Sequence, residues 1–426
     1  MSPQGPLVLS DRALQYAMEP LATPSEGRAW AARRVKGCAG AGKSSMVAAR
    51  ARQLAAAGND VLAVTFNIAA ASHLRHLASR WPMAPAARQP TIRHFHGWCG
   101  DIVRPRDPAR WHEHFTTFPD REQRWGRPFF EMVTAILIEH PLRGSELYDS
   151  VLVDEGQDFG LDTWRLIGER LVRPGGESWL IADPAQDIYK EAQAWTDEAM
   201  AGVGVSGPWR TLEGSYRLPT DLRDIAAAFG RNFLPLRVRG DLPEPPDDLV
   251  LDVDTSFFRW TTVDRPDDLP GTAVSLLLDI RSASEQSDSR PVEFRDVNIQ
   301  VASHETGCLV VRQLLQHGIP VVHACNLPRG EEATALGDCF VKKEDVEAVA
   351  EAQDRVAVMT VHTCKGLDAR AAIVLLEADD PWLAYTAMTR PVRGAGRTYL
   401  SVVAGKGLFR KFADLHAPTD FVDIPF

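Results

Sequence analysis

The chain has 426 residues, 45% of them hydrophobic, and a formal net charge of −10. That length predicts about two to three domains with a core in each and argues against large-scale disorder, while six scattered cysteines (Cys38, Cys99, Cys308, Cys325, Cys339, Cys364) predict reduced thiols and neither a disulfide framework nor a zinc site. No stretch approaches the roughly 20 apolar residues of a membrane span, and the opening residues lack a basic segment before an apolar run, so a cytoplasmic protein is expected. The acidic balance points away from a polyanion partner, yet one basic groove is enough to hold nucleic acid, so total charge leaves that question open.

In chain order, Val35 and Lys36 lead into a glycine-rich turn and then SSMVAARARQLAAAG (44–58), whose Ala, Arg and Leu content predicts a helix ended by Gly58. VLAVTF (61–66) reads as a buried strand, which completes a βαβ unit and predicts a parallel sheet. Residues 101–147 are rich in Trp, His, Arg and Pro and read as a small helical insertion containing the helix FFEMVTAILIEH. Two further short apolar runs, VLVDE from Val151 and SWLIAD from Ser178, extend the sheet. After Arg217 a helix is predicted over TDLRDIAAAFGRNF. Residues 241–270 then hold nine acidic residues against two basic ones (Arg259, Arg265), which predicts a solvated loop or irregular edge and a poor nucleic-acid contact. Alternation returns with VNIQVAS, TGCLVVRQLLQHG, IPVVHAC, VAVMTVH, AAIVLLEA and TYLSVVAG, a second parallel-sheet domain.

GCAGAGKS, Gly37 to Ser44, fits the pattern G-x-x-x-x-G-K-[ST] between a strand and a helix. Its glycines Gly37, Gly40 and Gly42 let backbone N–H groups wrap phosphates, Lys43 reaches the outer phosphates, and the Ser44 hydroxyl can ligate magnesium, with Ser45 beside it. A chance match in an Ala/Gly-rich region is the alternative, which the flanking strand and helix disfavour. The strand VLVDE ends in Asp154 and Glu155 at the carboxyl edge of the sheet, where ligands bind in open α/β folds. Asp154 can hold the magnesium, and Glu155 can orient and deprotonate an attacking water.

Further segments follow in an order that resembles the UvrD/Rep-like superfamily 1 helicases. DEGQD resembles their DExQD box, TFNIAAASHL (from Thr65) their TFTNKAA segment, and HFHGWC (from His94) their TFHG segment. ADPAQDIY (Ala182 to Tyr189) resembles GDxxQxIY, LEGSYR (Leu212 to Arg217) resembles LExNYR, MTVHTCKGLD (Met359 to Asp368) resembles MTxHxAKGLE, and YTAMTR (Tyr385 to Arg390) resembles YVAMTR. The resemblance implies an ATP site with Mg2+ between two RecA-like domains. It implies that Gln186 senses the γ-phosphate, that Arg217 and Arg390 stabilise the transferring phosphoryl group, that Tyr216 stacks on adenine and that Asp368 meets the ribose. For the nucleic-acid track it implies Thr65, Phe66, Asn67, His96, Tyr189, Thr360 and His362, with aromatic rings stacking on bases. Core packing is the alternative for Phe66 and Tyr189. Departures are Ala182 in place of a glycine, Glu191 where a stacking tryptophan is common, the shorter Asp368, and Gln15 as the one candidate adenine-reading glutamine. Accessory regions are short.

The expected fold is α/β, with two RecA-like P-loop NTPase domains, parallel sheets and a small helical insertion in the first. The domains are expected at 1–206 and 207–426, with the insertion at about 101–147, an acidic irregular insertion at about 241–290 and an accessory segment reduced to about 327–355. The resemblance implies an ATP-dependent single-stranded DNA translocase or helicase of 3′-to-5′ polarity, RNA remaining open as a partner. The alternative is a nucleic-acid-sensing ATPase subunit of a larger complex, such as a prokaryotic anti-phage defence system with a nuclease or effector partner. A non-hydrolysing scaffold is disfavoured by the intact Lys43, Asp154, Glu155, Gln186, Arg217 and Arg390.

Overall fold

A computed structural model describes residues 8–82, 88–119, 124–246, 255–286, 289–328, 330–331, 334–343, 345–393 and 396–416. The chain divides into an N-terminal unit, Ser2–Gly37 with Gly42–Leu212, and a C-terminal unit, Glu213–Phe426 with Cys38–Ala41 and Met1. Each follows the α/β plan with a parallel sheet expected from the apolar runs.

The N-terminal unit is built on six parallel strands: β1 Ala31–Gly37, β2 Val61–Thr65, β3 Thr91–His94, β4 Tyr148–Val153, β5 Val172–Ala182 and β6 Trp209–Leu212. Their order is β3-β2-β4-β5-β1-β6. β2 is buried along its whole length, as an unbroken apolar run requires when both faces of a parallel sheet are covered. Val64 pairs with Val153, Val153 with Leu180 and Lys36 with Ala182. That register brings the segments after Gly37, Thr65, Val153 and Ala182 out at one edge of the sheet. β3 and β6 were not evident as strands in the sequence; each has four residues and lies at an outer edge, where TIRH buries one residue only.

Between β3 and β4, where a helical insertion is expected at about 101–147, the described residues include the helices Phe95–Val103, Pro108–Thr117 and Arg127–Glu139. Phe95, Trp98, Phe129, Val133, Ile136 and Leu137 bury their side chains in it. Each contributes roughly 1.5–3 kcal/mol of apolar burial relative to exposure.

The C-terminal unit has a second six-stranded parallel sheet: β7 Ser256–Val263, β8 Val297–Val301, β9 Val321–His323, β10 Val356–Thr360, β11 Ala371–Leu376 and β12 Thr398–Gly405, in the order β7-β12-β11-β8-β10-β9. Here one expectation is corrected. The stretch at 241–290 is not irregular throughout, because β7 and the 17-residue helix Leu269–Glu285 lie inside it. Phe257, Phe258, Trp260 and Val263 are buried on β7, and Leu269, Ala273, Leu277 and Ile280 on the helix. The density of acidic residues hid this apolar pattern, which drives the segment onto the sheet while charge stays on outer positions such as Asp264, paired with Lys406 at 2.8 Å. Asp247, Asp248, Asp252 and Asp254 lie outside the described residues. In the segment 327–355 the described residues form the helices Ala335–Asp338 and Val346–Gln353; positions 329, 332, 333 and 344 lie outside them.

Candidate active site

The phosphate-loop pattern folds as a left-handed turn into a helix. Gly40 (φ 81°) and Gly42 (φ 85°) take a backbone conformation that side chains resist, and the helix Lys43–Ala56 starts directly after them. Its first N–H groups are the anion-binding end of a helix, with Gly42 contributing no side-chain cap. Lys43 is buried, and its Nζ donates to the Gly37 carbonyl at 2.8 Å and meets Asp183 Oδ2 at 3.2 Å. Ser44 and Ser45, the next two residues of the helix, are half-buried.

Asp154 and Glu155 follow β4 at the same sheet edge, both nearly buried. Burial pushes the Asp154 carboxyl up to about 7, and the adjacent Glu155 charge adds to the rise; the Ser44 hydroxyl bond and the Lys43 charge pull it back down. Among the described residues Asp154 Oδ1 has no hydrogen-bond partner. An orphaned carboxylate oxygen beside a serine hydroxyl, in a site short of positive charge, fits a hard divalent cation such as Mg2+. Glu155 itself sits at φ 53°, a strained setting for a residue with a side chain, of the kind that occurs at functional sites.

Two residues that sequence reasoning passed over tie the site together. Gln157 Nε2 donates to Glu155 Oε2 at 2.6 Å, and its Oε1 accepts from the Asp183 N–H at 2.9 Å. Asp183 Oδ2 accepts from Gln186 Nε2 at 2.9 Å and from Lys43, while Oδ1 caps the Ala185 N–H at 3.1 Å. A continuous hydrogen-bond chain therefore runs from Glu155 through Gln157 and Asp183 to Lys43 and Gln186. Gln157 and Asp183 stand inside DEGQD and ADPAQ, so the signal was present; their roles needed partners distant in sequence.

In the C-terminal unit Arg217 Nη1 donates to Asp368 Oδ1 at 3.0 Å and Nη2 to the Thr389 carbonyl at 2.7 Å. Arg217 and Asp368, 151 positions apart, thus meet one another. Arg390 is 1% exposed, with Nε donating to the Thr386 carbonyl and Nη2 to Thr389 Oγ1, each at 3.0 Å. Tyr216 is half-buried, and its N–H donates at 3.0 Å to the carbonyl of Gly40, which packs within this unit. A Cβ on Gly40 would come within 2.7 Å of Arg217 Cβ, so only glycine fits there. Gln15 lies exposed on the helix Asp11–Met18.

Of the residues assigned to the strand track, Phe66, His96 and Tyr189 are half-buried and cluster in the N-terminal unit, with ring centroids at 4.7 Å for Phe66 to Tyr189 and 5.3 Å for Phe66 to His96. His96 continues to Trp125 at 5.1 Å, an aromatic of the helical insertion that no motif indicated. Thr65 is fully buried, its hydroxyl donating to the Asn67 carbonyl, and Asn67 caps the next helix through the Ala69 N–H. These two shape the turn that presents Phe66. In the other unit Thr360 is buried and caps Thr363, and His362 is half-buried.

Residues 31–142 match the UvrD/REP helicase N-terminal domain. No curated protein matches the chain. Among solved structures, Saccharomyces cerevisiae Dbp5 bound to RNA and ADP BeF3 aligns over 99% of this chain and 88% of its own, at 10% identity and a TM-score of 0.48. Among the described residues no helix is long and apolar enough to cross a membrane.

Proposed function

We propose, from the premise that this chain is a UvrD-like helicase through its residues 31–142, that it hydrolyses ATP to move along or unwind DNA from a single strand, with 3′-to-5′ polarity. The observation that carries the reading is the hydrogen-bond chain from Glu155 to Gln186 through Gln157 and Asp183, with Lys43 joined to it. Such wiring suits an ATPase whose catalytic carboxylate must respond to the γ-phosphate.

In this reading Gly37, Gly40, Gly42, Lys43, Ser44 and Ser45 hold the phosphates, and Ser44 with Asp154 holds Mg2+, which when bound neutralises charge on the phosphate oxygens. Glu155 orients and deprotonates the attacking water. Gln186 senses the γ-phosphate through Asp183. Arg217 and Arg390 stabilise the charge that develops on the transferring group, Tyr216 stacks on adenine, and Asp368 meets the ribose. Phe66, His96 and Tyr189 stack against bases, Thr65 and Asn67 shape the turn that presents Phe66, Thr360 caps the turn that carries His362, and His362 contacts the backbone. The division between the two units falls at Leu212/Glu213, with β6 in the first rather than in the 207–426 expected from the sequence. Asp368, paired with Arg217 at 3.0 Å, must exchange that partner when a ribose arrives.

The test is ATP turnover with single-stranded DNA, single-stranded RNA and duplex, beside strand displacement. Turnover stimulated by single strands is expected; equal rates with and without them would reject the motor. A second reading, a nucleic-acid-sensing ATPase subunit of a larger defence complex, is favoured by the short segment at 327–355 and the net charge of −10. Stimulated turnover without displacement, together with co-purification of a nuclease or other effector, selects it.

A further inference from the structure

The chain carries 57 acidic residues, yet none lies between Asp60 and Asp101. That interval folds into β2, the helix Ile68–Arg80, β3 and the start of the helix Phe95–Val103. Residues 69, 70, 71, 74, 77 and 78 bury one side of Ile68–Arg80. The other side presents His73, Arg75, His76 and Arg80, of which Arg75 and His76 are exposed. Arg75 reaches across to the Ile92 carbonyl of β3 at 3.4 Å, and the exposed Arg93 stands one residue further along that outer strand. The elements that pack most closely on this helix, Lys43–Ala56, β3 and β2, contain no acidic residue either. Arg93 meets Asp101 at 3.2 Å, but both side chains are more than half exposed, so the pair is weak and readily exchanged.

We infer that this face of the helix Ile68–Arg80 and β3 is a second nucleic-acid contact that binds phosphate backbone beyond the aromatic cluster of Phe66, His96 and Tyr189. The inference rests on the function proposed above. A basic face whose own helix and strand contain no acidic residue, on a chain of net charge −10, attracts a polyanion locally, which fixes where the backbone lies. Among the described residues it exposes no Phe, Tyr or Trp ring, so it holds backbone without reading bases. β3 runs directly into His94, Phe95 and His96, so backbone on this face continues from the base-stacking cluster.

The test combines Arg75→Gln, Arg80→Gln and Arg93→Gln in the full-length chain and measures affinity against salt concentration. Three substrates are used: a short single strand, a single strand about three times longer, and the short strand extended by duplex. Each lost phosphate contact lowers the slope of log affinity against log salt by about 0.9 on duplex and about 0.7 on single strands. A slope shallower by about two on the long single strand, or by nearly three on the extended duplex, with short-strand affinity and basal ATP turnover unchanged, is expected. Loss on the long single strand alone assigns the face to the strand, and loss on the extended duplex alone assigns it to the duplex. The corresponding lysine variant should restore the slope. Unchanged slopes on both longer substrates overturn the inference and leave the ATPase reading intact, as does equal loss on the short strand. Failure of the unaltered chain to bind any of the three overturns both.

Discussion

Asp154 has its carboxyl held near 7 by burial and by the neighbouring Glu155. An acid raised in the folded state stabilises the fold fully below its unfolded value, near 4, and loses that contribution as pH rises through about 7. Asp154→Asn should therefore raise the thermal midpoint of the nucleotide-free chain more at pH 8 than at pH 5; equal gains at both would contradict the assignment. A metal must displace the same proton, so magnesium-dependent nucleotide affinity should weaken as pH falls from 8 to 6. Glu155→Gln should lower turnover by about 10²–10⁴-fold with nucleotide affinity kept. Gln157 touches Glu155 and the Asp183 backbone. Gln157→Ala should accordingly lower kcat with KM little changed, a split that a merely structural role would not give. For Arg390→Ala the expected loss is about 10³–10⁵-fold in stimulated turnover, and normal turnover would remove Arg390 from the site.

At the scale of elements, a buried ion pair fixes the segment before β1. Arg50 and Glu177 are both fully buried and meet at 2.6 Å. Arg50 Nη1 also donates to the carbonyls of Tyr16 and Glu19, and Glu177 accepts from the Ala22 N–H and the Ser150 hydroxyl. Burial lowers the Arg50 pKa, and Glu177 opposes that shift. Arg50→Ala strands the carboxylate and should cost about 3–5 kcal/mol in urea unfolding. Adding Glu177→Gln should recover much of that loss, and no recovery would mean that the pair acts through packing alone. Central elements were legible because their apolar runs are long and unbroken, as in β2 and β11. β3 and β6 were not, because each has four residues and buries only one; at β7 an acidic neighbourhood concealed Phe257, Phe258 and Trp260.

Over the whole molecule, the described residues form two six-stranded parallel sheets, one in the unit that holds the helix from Lys43 and the other in the unit that holds Arg217 and Arg390. The short segment at 327–355 leads to a prediction at this scale: the isolated chain should displace duplex strands weakly even where single strands accelerate its ATP turnover. Sequence alone determined the phosphate loop, the acidic pair after β4 and the alternation that makes parallel sheets. These depend on glycine conformations, charge types and apolar runs within a few consecutive residues. Only the tertiary structure decided that Gln157 reaches Asp183, that Arg217 pairs with Asp368 and that Trp125 joins Phe66 through His96. Those contacts close over tens to more than a hundred residues, and local propensity carries no term for such closure.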